Sequence, residues 1–180
     1  MKVFVCCSSN EKTPKYLMDD CEKLLDKVFI NNDLVFGACE KGIMGLAYDV
    51  AKKNNRGTIG ICPKIYAKSF DKLECDEEIV TEEILDSTIQ IIKKSDAIIV
   101  LPGGFGTVYE FFTTLQGKIC EEHNLPIILY NSCGYYDELI KFIDKMYINN
   151  FTRSDIKELY SVANSIDDVI KLLNNYDKKN

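Results

Sequence analysis

Short apolar runs alternate with amphipathic stretches along most of the chain. "KVFVCC" (2–7) predicts a first strand, "DLVFG" (33–37) a second and "GTIGIC" (57–62) a third. "EEIV" (77–80) has the length of a short strand. "DAIIVL" (96–101) and "PIILY" (126–130) are continuously apolar, as parallel strands buried on both faces are. "LYSVAN" (159–164) predicts a last edge strand. The stretches between are helical. Thr13-Pro14 reads as an N-cap followed by proline in the first helical position, and the helix runs to about Ile30. Its apolar face is Leu17, Cys21, Leu24, Leu25 and Val28. Further helices are predicted over 42–54, 81–94, 105–122, 135–149 and 167–176. Pro63 to Asp76 has no clear period and predicts a loop, and the tail "DKKN" predicts fraying.

Repeated βα units predict an α/β fold: one domain over 1–180, with an open parallel sheet and helices on both faces. In such sheets ligands bind outside the carboxyl ends of the strands. The loops at that edge are Cys6–Asn10, Gly37–Gly45 and Pro102–Glu110.

Composition narrows the partners. The chain has 180 residues and a formal net charge of −6, from 22 basic and 28 acidic residues. No basic stripe with interleaved aromatics occurs, which argues against a nucleic-acid polymer. Small anions stay open, because backbone amides bind them without net positive charge. The eight cysteines include no C-x-x-C, and His123 is the only histidine, so no zinc site is expected. Most of the cysteines read as small buried hydrophobes. No apolar run reaches the ~18 residues of a membrane span, and "MKVFVCCSSN" is too short for a signal-peptide core. The expectation is a cytoplasmic protein with reduced thiols, away from membranes.

"LPGGFGTVYEFF" (101–112) carries the chemistry. Gly103, Gly104 and Gly106 sit between a buried strand and a helix start, where missing side chains let an anion approach free N–H groups. Thr107 can donate its hydroxyl to a phosphate. The spacing is neither a P-loop nor G-x-G-x-x-G. A structural reading stands beside this one. Thr107-Val108-Tyr109-Glu110 has the form of a capping box, and the glycines fit a tight turn. Ser8 and Ser9 end the first strand, where a hydroxyl can contact ligand or form a turn. Gly42 and Gly45 suit close helix–strand packing. His123, Glu82 and Glu83 read as structural, the two acids in a helix's first turn. Phe111-Phe112 and Tyr135-Tyr136 read as core or dimer contacts.

"LPGGFGTVYE" resembles the P-G-G-x-G-T-x-x-E motif of the Lonely Guy family, also described as lysine-decarboxylase-like. "VFVCCSS", "LVFGACEKGIMGLAYDVA" and "GYYDELIKFIDKM" resemble its other segments, and Ser95 to Thr152 aligns without gaps. The resemblance implies a Rossmann-like fold, a homodimer or a larger assembly of dimers, and a phosphoribohydrolase that cleaves the N-glycosidic bond of a nucleoside 5′-monophosphate such as an AMP-like ligand. It implies no metal and no organic cofactor. It implies Glu110 as the catalytic carboxylate. The candidate phosphate- and ribose-binding residues are Ser8, Ser9, Gly37, Gly42, Met44, Gly103, Gly104, Phe105, Gly106 and Thr107.

The chain departs from that pattern at the site. The family's Met-His-x-Arg-Lys falls on "ILDST", so Ile84 and Leu85 replace methionine and histidine, and Ser87 and Thr88 replace arginine and lysine. Lys93 and Lys94 lie about six residues on, out of phase with the helical turn. Ala38 and Cys39 stand in a glycine triplet, Cys7 replaces a glycine, and Tyr109 replaces a glutamate. Three readings follow. One is a nucleotide N-glycosidase, the second a nucleotide-binding or sensing protein with little hydrolysis. The third is an unrelated small-molecule enzyme or dinucleotide-dependent protein on the same fold.

Overall fold

A computed structural model describes residues 1–153 and 155–177. The strands are β1 (Lys2–Cys6), β2 (Asp33–Phe36), β3 (Thr58–Pro63), β4 (Glu77–Thr81), β5 (Ala97–Val100), β6 (Ile127–Tyr130) and β7 (Ser161–Ala163). They form one seven-stranded sheet, in the order β4-β3-β2-β1-β5-β6-β7. Every pairing is parallel. The helices are α1 (Lys15–Val28), α2 (Gly42–Lys53), α3 (Ile84–Lys94), α4 (Phe105–Ile119), α5 (Asp137–Ile148), the single turn α6 (Ile156–Leu159) and α7 (Ile166–Asp177).

Two-residue alternation along β1 sorts the core into two layers. Val3, Val5 and Cys7 face one cluster with Leu24 and Leu25 of α1, Ala47 of α2 and Leu173 of α7. Phe4 and Cys6 face the other, with Ile91 of α3, Phe111 and Leu115 of α4, Ile143 of α5 and Ile156 of α6. Helices therefore cover both faces of the sheet, as the unbroken apolar strands predict.

Local chemistry moves several boundaries. Pro14, not Thr13, sits at the N-cap of α1: its ψ is 137°, and its carbonyl accepts from Leu17 and Met18. Thr13 turns its hydroxyl back to the Asn10 carbonyl at 2.8 Å. The predicted loop after Pro63 coils into a 3-10 segment, Lys64–Lys72. Thr81 stays in β4, paired with Pro63, so α3 begins at Ile84. Glu82 and Glu83 thus precede the helix, and Asp86 is the acid of its first turn. Of the tail expected to fray, Asp177 closes α7 and 178–180 lie outside the described residues.

His123 holds the end of α4. The Leu125 amide donates to its Nδ1 at 3.2 Å, so Nε2 carries the proton and donates to the Thr114 carbonyl at 3.0 Å. Burial lowers its pKa, which keeps the ring neutral and the arrangement intact. Among the described residues no helix is long and apolar enough to cross a membrane.

Gly42 fixes how α2 meets β1. Its φ is +60°, and an added Cβ would lie 2.7 Å from both the Ser9 carbonyl carbon and the Asn10 nitrogen. Two residues on, the Met44 amide donates to the Ser8 carbonyl at 3.0 Å. Gly42→Ala is expected to lower the unfolding free energy by about 2–4 kcal/mol, through left-handed strain and a backbone collision together. Urea denaturation of the two proteins measures it.

Candidate functional site

β1 lies between β2 and β5, and the chain leaves it in both directions. Their carboxyl ends form the switch point where open α/β sheets bind ligands. The two ends are joined past the strands: the Leu101 amide donates to the Cys6 carbonyl at 2.8 Å and the Ser8 amide to the Pro102 carbonyl at 3.2 Å. The glycine loop is held from outside by two tyrosines. Tyr135 Oη donates to the Gly103 carbonyl at 2.8 Å, and the buried Tyr136 Oη to the Leu101 carbonyl at 2.7 Å.

The glycines of this loop serve different ends. A Cβ on Gly103 would collide with the Thr107 side chain, so that position needs glycine for packing. A Cβ on Gly104 or Gly106 would meet no protein atom within 4 Å. Packing does not explain those two.

The capping-box reading of Thr107 and Glu110 is overturned. The N-cap of α4 is Gly104, whose carbonyl accepts from the Val108 amide at 3.0 Å, and no side chain caps the helix. Thr107 and Glu110 stand third and sixth in the helix, too far along to reach the N-cap amides. Thr107 packs under Gly103. Glu110 points to the sheet, where the Cys6 thiol donates to its Oε2 at 3.0 Å.

Glu110 lines a cavity of about 260 Å³ between the strand ends and α3. Ser9, Gly37, Ala38, Cys39 and Met44 line it from the β1–β2 side, and Ile84, Ser87, Thr88 and Ile91 from α3. Tyr66 and Ser69 of the 3-10 segment line it as well. Part of Glu110 is open to the cavity, but protein surrounds its carboxyl closely, and loss of solvation lifts the pKa to about 7. The Cys6 hydrogen bond pulls it the other way, and more weakly. Burial also pushes the Cys6 thiol well up, so it stays a protonated donor at neutral pH.

A second cavity, of about 280 Å³, opens on the glycine loop. Ser8, Gly103 and Gly104 line it, with Asn10, Lys12, Thr13 and Tyr135. The adjacent Ser8 and Ser9 thus face different cavities.

Comparison with known proteins settles the kinship. The sequence model of the family described as possible lysine decarboxylase matches residues 44–173. The chain belongs to this family. A probable cytokinin riboside 5′-monophosphate phosphoribohydrolase of Oryza sativa subsp. japonica is 29% identical over 177 residues, covering 97% of this chain and 72% of that protein. A cytokinin riboside 5′-monophosphate phosphoribohydrolase of Arabidopsis thaliana is also 29% identical, over 97% of this chain and 82% of its own. Among solved structures, the Moco carrier protein of Chlamydomonas reinhardtii superposes with a TM-score of 0.71 at 20% identity, over 99% of this chain and 98% of that one. The molybdenum cofactor binding protein of Rippkaea orientalis gives 0.70 at 22%, over 97% and 95%. At these identities the two structures speak for the Rossmann-like fold.

Within this lysine-decarboxylase-like family, the positions expected for an arginine and a lysine face the Glu110 cavity. Ser87 and Thr88 are both buried there. Ser87 Oγ lies 2.6 Å from Thr81 Oγ1, and Thr88 Oγ1 donates to the Ile84 carbonyl at 3.1 Å. Among the described residues no lysine, arginine or histidine lines this cavity.

Of the candidate residues, Ser9, Gly37, Met44 and Glu110 share the first cavity, and Ser8, Gly103 and Gly104 the second. Gly42 and Thr107 support them from behind. Phe105 is 98% exposed at the start of α4 and, like Gly106, lines neither cavity. Sequence reasoning missed the polar contacts of Cys6 and Tyr135. The first hides in an apolar strand. The second sits in "GYYDELIKFIDKM", where the paired aromatics read as packing.

Burial of Glu110 has a measurable consequence. Its unfolded-state value is near 4.5 and its folded value about 7, so the native state takes up a proton between them. The stabilisation from protonated Glu110 is fully present below about pH 4.5 and is lost as pH rises through about 7. Relative to Glu110→Gln, the wild type should lose up to about 3 kcal/mol between pH 4 and 8. Urea unfolding of both proteins across that range tests it, and parallel curves would show an unperturbed carboxyl.

Proposed function

We propose that this protein hydrolyses the N-glycosidic bond of a nucleoside 5′-monophosphate, releasing base and ribose 5-phosphate. The observation that carries the reading is Glu110: a desolvated carboxyl with a pKa of about 7, lining a cavity beside a glycine loop at the sheet's switch point. Cleavage builds positive charge on the ribose, and a carboxylate in a poorly solvated site stabilises that charge or orients the attacking water. The phosphate lies over the glycine loop. Gly104 and Gly106 leave the N-terminus of α4 uncovered, where free amides and the helix dipole favour an anion. Lys12 borders the neighbouring cavity and adds a positive charge on that side. The base occupies the first cavity, against Met44, Ile61 and Ile91. Kinship with phosphoribohydrolases of nucleoside monophosphates supports the same substrate class.

One observation favours a second reading, a nucleotide receptor with little turnover. Serine and threonine occupy the positions of the expected cationic pair, and no cation lines the cavity among the described residues. Losing one preorganised electrostatic contact costs roughly 100- to 1,000-fold in rate.

The deciding experiment is release of ribose 5-phosphate from a panel of nucleoside monophosphates, including AMP and N6-modified AMP. Hydrolysis is expected to rise with pH through a midpoint near 7, as Glu110 ionises. Glu110→Gln should abolish release while calorimetry still records nucleotide binding. Binding without release by the wild type would select the receptor.

We further infer a homodimer formed across α3 and α4, which pack side by side. Leu85 and Ile89, one turn apart on α3, are 51% and 39% exposed, and Phe105 stands out from the start of α4. The family resemblance implies a homodimer, and a second copy is the occupant we infer for this exposed apolar face. Sedimentation velocity should give a dimer, and Leu85→Asp with Ile89→Asp should give a monomer.

A further inference from the structure

We propose that Cys6 is a positioning residue for Glu110, its thiol fixing the carboxylate by a hydrogen bond to Oε2 so that Oε1 is presented to the cavity. This rests on the reading of Glu110 as the working carboxylate. Cys6 ends β1 and is buried, with its side chain on the α4 side of the sheet. Its Sγ lies 3.0 Å from Glu110 Oε2 and 3.3 Å from the Thr107 carbonyl, two acceptors one turn apart on α4. No other side chain among the described residues hydrogen-bonds the Glu110 carboxylate, whose Oε1 has no partner and is not sealed from the cavity. The thiol is therefore the one polar link between the central strand and the carboxyl group.

The surroundings make that link matter. The titratable groups that surround Glu110 or share its cavity are the thiols of Cys6 and Cys7 on the β1 side, Cys39 after β2, and the phenol of Tyr66 from the 3-10 segment. From α3 come only the hydroxyls of Ser87 and Thr88. No charged side chain other than Glu110 lines the cavity among the described residues. A neutral donor is what remains to orient the carboxylate and favour its ionised form. Cysteine suits the place, because it packs as an apolar residue in the strand and still donates.

Three variants separate this role from packing. Cys6→Val keeps an apolar side chain of similar size and loses the donor. Cys6→Ser keeps a donor and puts a hydroxyl in the core. Cys6→Ala serves in place of valine if valine prevents folding. The first readout is the pH profile of ribose 5-phosphate release. In Cys6→Val, kcat should fall about tenfold with KM within about twofold, and the midpoint should move up by about one unit. Cys6→Ser should keep the wild-type midpoint. The second readout needs no turnover: the ¹³C-carboxyl titration of Glu110, assigned by its absence in Glu110→Gln. There too the midpoint should rise in Cys6→Val and not in Cys6→Ser. If Cys6→Val titrates with the wild type, or Cys6→Ser moves as far as Cys6→Val, the positioning role is wrong. If no nucleotide is hydrolysed by the wild type, the hydrolase reading fails, and the titration still decides the role of Cys6.

Discussion

A parallel strand buried on both faces must pass its backbone on at its carboxyl end without leaving polar groups unsatisfied. β1 does this in three directions. Its last carbonyl accepts from Leu101, the next turn is tied to Pro102, and the Ser8 carbonyl receives the amide of Met44. The third link requires α2 to approach so closely that only glycine fits at position 42. The glycine loop, the β1 turn and the start of α2 are thus one connected piece of backbone. Both cavities border it, and Ser8 and Ser9 divide them. The tyrosines at 135 and 136 extend this frame to α5, through carbonyls of the same loop.

The alternation that builds the two core layers also aims the chemistry. Cys6 faces α4 because Phe4 does, and Cys7 faces α1 and α2 because Val5 does. A one-residue shift in β1 would turn the Cys6 thiol from Glu110 to the opposite layer. The carboxyl stands on a helix face that otherwise buries Thr107, Phe111 and Thr114. It is an ionisable group set into a packing surface. Its raised pKa records the cost of that placement, since nothing charged nearby compensates it.

Much of this was legible in the sequence. The strands declared themselves because buried parallel strands are continuously apolar, and even β7, only Ser161–Ala163, falls where an edge strand is predicted. Counting back from Ser95 put Ser87 and Thr88 at the expected cation positions, and both do face the cavity. Glu110 was ambiguous, because T-x-x-E spells a capping box and a site carboxylate alike. What removes the capping box is where the helix begins, two residues before Thr107. Residue letters do not set that boundary, since a glycine N-cap carries no side-chain signal. The polar part of Cys6 was hidden for a related reason: "VFVCC" is a strand by hydropathy, and the acceptor is 104 residues away. Long-range pairing also divided the ligand edge into two cavities, which no local pattern announces.

The missing cation changes what Glu110 can do on the proposed reading. A guanidinium about 5 Å from the carboxylate would interact with it by about 3 kcal/mol at an effective dielectric of ~20. That attraction would keep Glu110 ionised at neutral pH. It would also offset much of the negative field reaching a ribose that is gaining positive charge. Without it, Glu110 titrates near 7 and about half of the molecules hold the carboxylate at that pH. The loss in population is about twofold, whereas the carboxylate that remains acts on the ribose uncompensated and in a poorly solvated site. Against this stands whatever the cation contributed directly to the leaving group or the phosphate. The hydroxyls of Ser87 and Thr88 cannot replace that charge, since both are engaged with neighbouring protein oxygens. The phosphate must then be held elsewhere, by amides of the glycine loop and by Lys12. Both line the cavity on the Ser8 side of the Ser8–Ser9 turn, whereas Glu110 lines the one on the Ser9 side.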